Sequence, residues 1–263
     1  MIKTIRLFLL LMHYEIRMNS RNLTWVIGLA AAVLVVLSET SMTWRQWPTL
    51  NQSLFAFHES VRLIVSIVAF LLAANSVARE GSGARKHMIH SRPVNLWLFS
   101  LAKFTGACMV SIGLALLIMV IVILRPWLAG LSTPYSLMPF LPVLVWMVLP
   151  SLFYITSLAI LLTAVTGRLI VSIPLYLGYL FFALYYAGHQ KNEVIFSDFT
   201  MRMEPVRVGI RLHSLLFGPG DFSFARYFNP LHPELITKTG IYLGLTLLLL
   251  AVGGWILQKQ RGN

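Results

Sequence analysis

Long apolar runs separated by short polar stretches dominate this chain. Six of them approach or exceed the roughly 20 residues a helix needs to cross the hydrocarbon core of a membrane. They are residues 23–42, 56–78, 98–124, 140–166, 169–187 and 239–257. The fourth and fifth are parted only by Thr166-Gly167-Arg168, a tight-turn signal. Pro150 and Pro174 fall inside runs, where they are expected to kink the helix and neighbouring helices re-satisfy the freed carbonyls. The second run is the least clean, because His58, Glu59 and Arg62 occupy its opening turns. The pattern predicts an all-α integral membrane protein of one domain with six transmembrane helices.

Ahead of the first run, Lys3 and Arg6 precede the short apolar stretch LFLLLM, and HYEIRMNSRN returns at once to charge. A secretory signal would show a small-residue cleavage site here, and none follows. Arg6, His13, Arg17 and Arg21 recur near whole helical turns, which predicts an uncleaved amphipathic helix over residues 1–22 lying at the membrane surface. The same residues also fit a cytoplasmic extension of the first span. Residues 188–238 form the one sizeable extramembrane stretch. Within it Val206, Val208, Ile210 and Leu212 alternate with polar neighbours as in a strand, and FGPGDF signals a turn. Arg207 and Arg211 fit a single helical face equally well.

Composition agrees with a membrane chain. Of 263 residues, 57% are hydrophobic and 11% charged, too little polar surface to cover a soluble core of that size. Mean hydropathy is +0.76. The net charge of +12 would elsewhere suggest nucleic acid, but the cations sit at the ends of apolar runs rather than in a solvated basic domain. No nucleic-acid partner is expected. Placing the N-terminus in the cytoplasm puts twelve cations inside: Lys3, Arg6, Arg17, Arg21, Arg79, Arg85, Lys86, Arg92, Lys103, Arg168, Lys259 and Arg261. The short outer loops then hold three, Arg45, Arg62 and Arg125. The other six lie in residues 188–238, and long loops translocate largely regardless of charge. A multi-pass protein of the inner (cytoplasmic) membrane follows, with both termini cytoplasmic. Cys108 is the lone cysteine and lies inside an apolar run, so no disulfide framework exists.

Catalytic signals are thin. HESVR at His58 begins like a zinc-protease motif, but Arg62 stands where the second histidine belongs. The HPE stretch at 232–234 suits the turn before the last span. There is no G-x-S-x-G elbow, and GSGARKH lacks the order of a phosphate-cradling loop. No catalytic, cofactor-binding or metal residue is assigned. Any ATP-driven work would draw its energy through another subunit.

Residues 78–97, AREGSGARKHMIHSRPVNLW, place Arg79, Arg85, Lys86 and Arg92 between two apolar runs. Gly81 and Gly83 loosen the end of the second span, and ARKHMIH suits a short helix. That helix ends where Arg92 precedes Pro93 and is pushed out of the α region. Two readings compete: a short helix gripped by a motor subunit, or a plain basic loop against anionic lipid.

Six spans, an N-terminal interfacial helix and the stretch from Glu80-Gly81 through SRPV to LAKF resemble the permease subunits of type 2 ABC transporters, six-span exporters. The matching positions are Glu80, Gly81, Ser91, Arg92, Pro93, Lys103 and Phe104. Family members often carry a second acid and a threonine-leucine pair after the glutamate, whereas this chain has GSGARK. The resemblance implies a half-transporter. Two permeases, identical or related, would join two cytoplasmic ATPase subunits that hold the ATP and magnesium. A cytoplasmic coupling helix between spans two and three would carry the ATPase-docking residues Glu80, Gly81, Arg85, Lys86 and Arg92. Alternating access would export an amphipathic, lipid-like or peptide substrate. The aromatic fifth span offers Tyr176, Tyr179, Phe182 and Tyr186 as a substrate pathway, although aromatic belts and packing account for them equally. The competing class is a membrane-embedded enzyme or a non-transporting scaffold.

Overall fold

The computed structural model describes residues 2–31, 57, 64–79, 96–128, 136–138, 140–189 and 233–262. All secondary structure among them is helical. Helix α1 covers Ile2–Ser20, and after a turn at Arg21 and Asn22 helix α2 is described over residues 23–31. Then follow α3 (Ser66–Ala78) and α4 (Leu96–Leu128). Helix α5 joins Phe140–Val143, a π-helical turn at Leu144–Val148 and Leu149–Thr166. Helices α6 (Leu169–His189) and α7 (Pro233–Gly262) complete the order.

Three helical stretches are long and apolar enough to cross a membrane: Trp97–Leu124, Leu144–Thr166 and Thr239–Lys259. Ser66–Ala78 and Leu169–Tyr179 are shorter apolar helices. The all-helical, membrane-associated character expected from the sequence is therefore present, with three full-length candidate spans among the described residues. The predicted first span is described only as far as residue 31, and the second from residue 64 together with Phe57. The expected coupling helix, and the strand-or-helix segment at 206–212, lie outside the described residues.

Local chemistry explains the joints. Gly167 ends α5 in the left-handed conformation (φ 65°), where glycine carries no Cβ penalty, and its N–H donates to Thr163 O at 2.9 Å. The tight turn expected at Gly167-Arg168 is thus observed. Pro150 has no N–H to donate toward the preceding turn, and it follows the π-helical turn closely. The Thr239 hydroxyl of α7 donates to Trp146 O at 3.4 Å, which supplies that carbonyl with a donor from a neighbouring helix. Other hydroxyls in the apolar helices satisfy themselves by donating back one turn: Ser111 to Ala107 O, Ser157 to Tyr154 O and Thr246 to Tyr242 O.

Helix α3 sits at the centre, packed against α4, α5 and α6, while α7 covers α5 and α4. Its small residues Ala69, Ala73, Ala74 and Ser76 are buried and let backbones approach closely, as packing in lipid requires. Larger side chains fill the remainder. Phe70 stacks on Tyr176 with ring centroids 4.0 Å apart, Tyr154 meets Tyr242 edge-on, and Leu114, Ile118, Leu152 and Ile160 are fully enclosed. In α7, Leu247 and Leu248 stay exposed, an apolar face suited to lipid.

Candidate functional site

The one concentration of buried charge among the described residues begins on α1. Phe8, Leu11, Met12, Glu15, Ile16 and Asn19 share the spacing of a single helical face, and each is buried or half-buried. Arg6, His13, Arg17 and Arg21 are exposed, together with Leu9, Leu10 and Tyr14. Glu15 therefore enters the bundle among apolar neighbours, and its side chain is 4% exposed.

Gly106 of α4 allows this approach. A Cβ built there would lie 2.6 Å from Glu15 Cβ and 3.4 Å from the α1 backbone, so α1 rests directly on the glycine. One turn earlier on the same helix, Lys103 is 1% exposed and donates to Glu15 Oε1 at 3.0 Å. It also donates to the backbone oxygen of Ser76 in α3, and its ammonium lies 4.5 Å from the centre of the Phe99 ring. Arg79, just beyond α3, donates to Glu15 Oε2 at 3.3 Å. The two carboxylate oxygens are thus divided between two helices: one holds α4, the other the end of α3.

The electrostatics are finely balanced. Unit charges 3 Å apart attract by roughly 5 kcal/mol at an effective dielectric near 20. Taking a carboxylate and an ammonium out of water costs several kcal/mol each. The Ser76 carbonyl and the Phe99 ring face offset part of the ammonium's lost hydration. One turn past Glu15 the Asn19 carboxamide is fully buried, and neither its oxygen nor its nitrogen has a hydrogen-bond partner among the described residues. This joint is held by directed charge rather than by apolar burial alone.

Of the residues singled out from sequence, Arg79 and Lys103 are brought into this cluster. Glu80, Gly81, Arg85, Lys86 and Arg92 lie outside the described residues. Arg79 directly follows α3, and Lys103 lies about two turns into α4, the two helices that residues 80–95 connect. Tyr176 is 2% exposed against Phe70, and the Tyr179 ring lies 6.3 Å from that of Tyr176. Phe182 and Tyr186 lie further along α6. Sequence reasoning missed Glu15 and Asn19. The available signal was that Glu15 is the sole acid before Glu39, inside an otherwise basic N-terminal stretch. No protein-family model matches the chain, and no curated protein aligns with it significantly.

Proposed function

We propose that this chain is the membrane-spanning subunit of an ATP-driven type 2 ABC exporter, with six spans and both termini cytoplasmic. The observation that carries the reading is the Glu15 junction. It ties the N-terminal helix to the end of α3 and the opening turns of α4, the helices that bracket residues 80–95, the stretch that resembles a coupling element. A segment that passes motor force into two membrane helices needs firm ends, and Arg79 and Lys103 share one buried carboxylate there.

In this reading residues 80–93 form a cytoplasmic helix in which Glu80, Gly81, Arg85, Lys86 and Arg92 meet the ATPase. ATP and magnesium bind that partner, not this chain. A second permease copy, or a related permease, completes the pathway. In this reading α6, along which Tyr176, Tyr179, Phe182 and Tyr186 recur, borders the pathway of an amphipathic, lipid-like or peptide substrate.

The test is co-purification of the full-length chain from its native membrane. A P-loop ATPase should be retained, and the double change Arg85→Glu plus Lys86→Glu should weaken that retention while membrane insertion stays normal. Losing a charge contact at a desolvated interface costs about 2–5 kcal/mol, against under about 1 for an exposed loop charge. Unchanged ATPase retention with normal insertion, or ATP hydrolysis intrinsic to the pure chain, would refute the reading.

A further inference from the structure

We infer that Glu15 is a positioning residue: its carboxylate sets the spacing between the end of α3 and the start of α4, so that α1, α3 and α4 move as one block. The consequence for coupling rests on the exporter reading above; the geometry does not. Three observations carry the inference. The two oxygens of Glu15 are used separately, Oε1 on Lys103 and Oε2 on Arg79, so one side chain spans two helices. Lys103 closes a second link by donating to the Ser76 backbone, which makes a triangle of α1, α3 and α4. Gly106 removes the Cβ that would hold α1 away, so the carboxylate reaches Lys103 without slack.

Anchoring alone does not call for this arrangement. Phe8, Leu11, Met12 and Ile16 already give α1 an apolar inner face, and replacing a buried ion pair with apolar groups of equal volume is often neutral or stabilising. What a directed carboxylate adds is register. An apolar face permits sliding and rotation against α4, whereas two ion pairs to different helices fix both.

The test uses the purified full chain in detergent, with trypsin cleavage after Arg85 and Lys86 reporting on the connection between α3 and α4. Cleavage after Arg202, Arg207 and Arg211 serves as the internal control. Glu15→Gln should accelerate the first set about tenfold, through a larger open population, and leave the control set unchanged. Glu15→Asp keeps the negative charge between Lys103 and Arg79 and should raise the first set less than Glu15→Gln does. Should Glu15→Gln fail to accumulate, Lys103→Gln gives the same readout. Unchanged cleavage between α3 and α4, an equal rise in both sets, or a rise in Glu15→Asp equal to that in Glu15→Gln would each overturn the inference.

A second arm reads coupling in the assembled complex. Glu15→Gln should retain the ATPase yet lose substrate-stimulated hydrolysis, and Glu15→Asp should lose less of it; intact stimulation in Glu15→Gln overturns the coupling role. If the wild-type chain retains no ATPase, the exporter reading fails, and the cleavage arm still decides whether Glu15 positions the two helices.

Discussion

The Glu15–Lys103 contact makes a quantitative prediction that separates a working ion pair from an incidental one. Lys103→Met removes the ammonium and keeps an unbranched apolar stem. It leaves Glu15, 4% exposed, facing Arg79 at 3.3 Å across a site where Arg79 itself is only 20% exposed. Breaking a buried pair costs about 3–5 kcal/mol when the remaining charge has nothing else, and Arg79 should hold the loss to about 2–3. Glu15→Gln leaves Lys103 buried with the Ser76 carbonyl, the Phe99 ring and a neutral amide, and should cost a similar amount. In the double variant both members of the pair are gone together, so the loss should be well below the sum of the singles. The expected coupling is about 1.5–3 kcal/mol, at the upper end for residues in contact. The assay is equilibrium unfolding of the four proteins by sodium dodecyl sulfate in mixed micelles, followed by tryptophan fluorescence. Additivity within about 0.5 kcal/mol would show that the pair carries no coupling and would refute the reasoning.

Other consequences are simpler to measure. Gly106→Ala should displace α1, because the new Cβ meets Glu15 Cβ at 2.6 Å and the backbone behind it cannot swing aside; we expect a loss of about 1–3 kcal/mol in the same unfolding assay. Gly113→Ala on the same helix meets nothing within 4 Å and should be neutral or stabilising by up to about 1 kcal/mol. Asn19→Leu removes a carboxamide that is buried without a partner among the described residues and should raise stability by about 1–3 kcal/mol; a lowered midpoint would contradict it. Gly167→Ala forces a Cβ into the left-handed region at φ 65° and should cost about 1 kcal/mol. On a Cys108→Ala background, a cysteine at position 87 should be shielded from outside reagents and one at position 192 labelled; the reverse would overturn the cytoplasmic placement of both termini.

Much of the architecture was legible because it is local. The fourth apolar run, 140–166, coincides with α5, and the glycine that ends it is the residue expected in the turn. Helices α4 and α7 overrun their predicted spans, reaching Leu96–Leu128 and Pro233–Gly262. Hydropathy measures the hydrocarbon thickness, and a helix with good backbone bonding continues past it. Pro150 hinted at a distortion, but nothing in the pattern named a π-helical turn or the Thr239 hydroxyl that serves it. The charged joint was the least legible. The cation spacing on α1 correctly gave an exposed face with Arg6, His13 and Arg17. Periodicity ranks faces by hydrophobicity, though, so it could not say that Glu15 and Asn19 lie on the opposite, buried face. Nor could it pair Glu15 with a lysine 88 residues away, since that contact exists only once α1 has settled on Gly106.

Those two faces of α1 differ in their chemistry. Its outer side combines Leu9, Leu10 and Tyr14 with Arg6 and Arg17, which suits adhesion to a membrane surface with anionic headgroups. Adhesion of that kind depends on buried area and charge count and is indifferent to where along the surface the helix lies. In lipid, apolar contact between helices is equally permissive, because the tails compete for the same surfaces. A directional contact is therefore what fixes α1 in one place, and Glu15 provides it with two helices at once. The Asn19 carboxamide, buried one turn away with no hydrogen-bond partner among the described residues, adds no directed contact to this joint. A joint built in this way is sensitive to the loss of a single charge and tolerant of changes in its apolar rim. The volume-conserving exchanges Leu11→Met and Met12→Leu should therefore be nearly silent in the unfolding assay where Glu15→Gln is not.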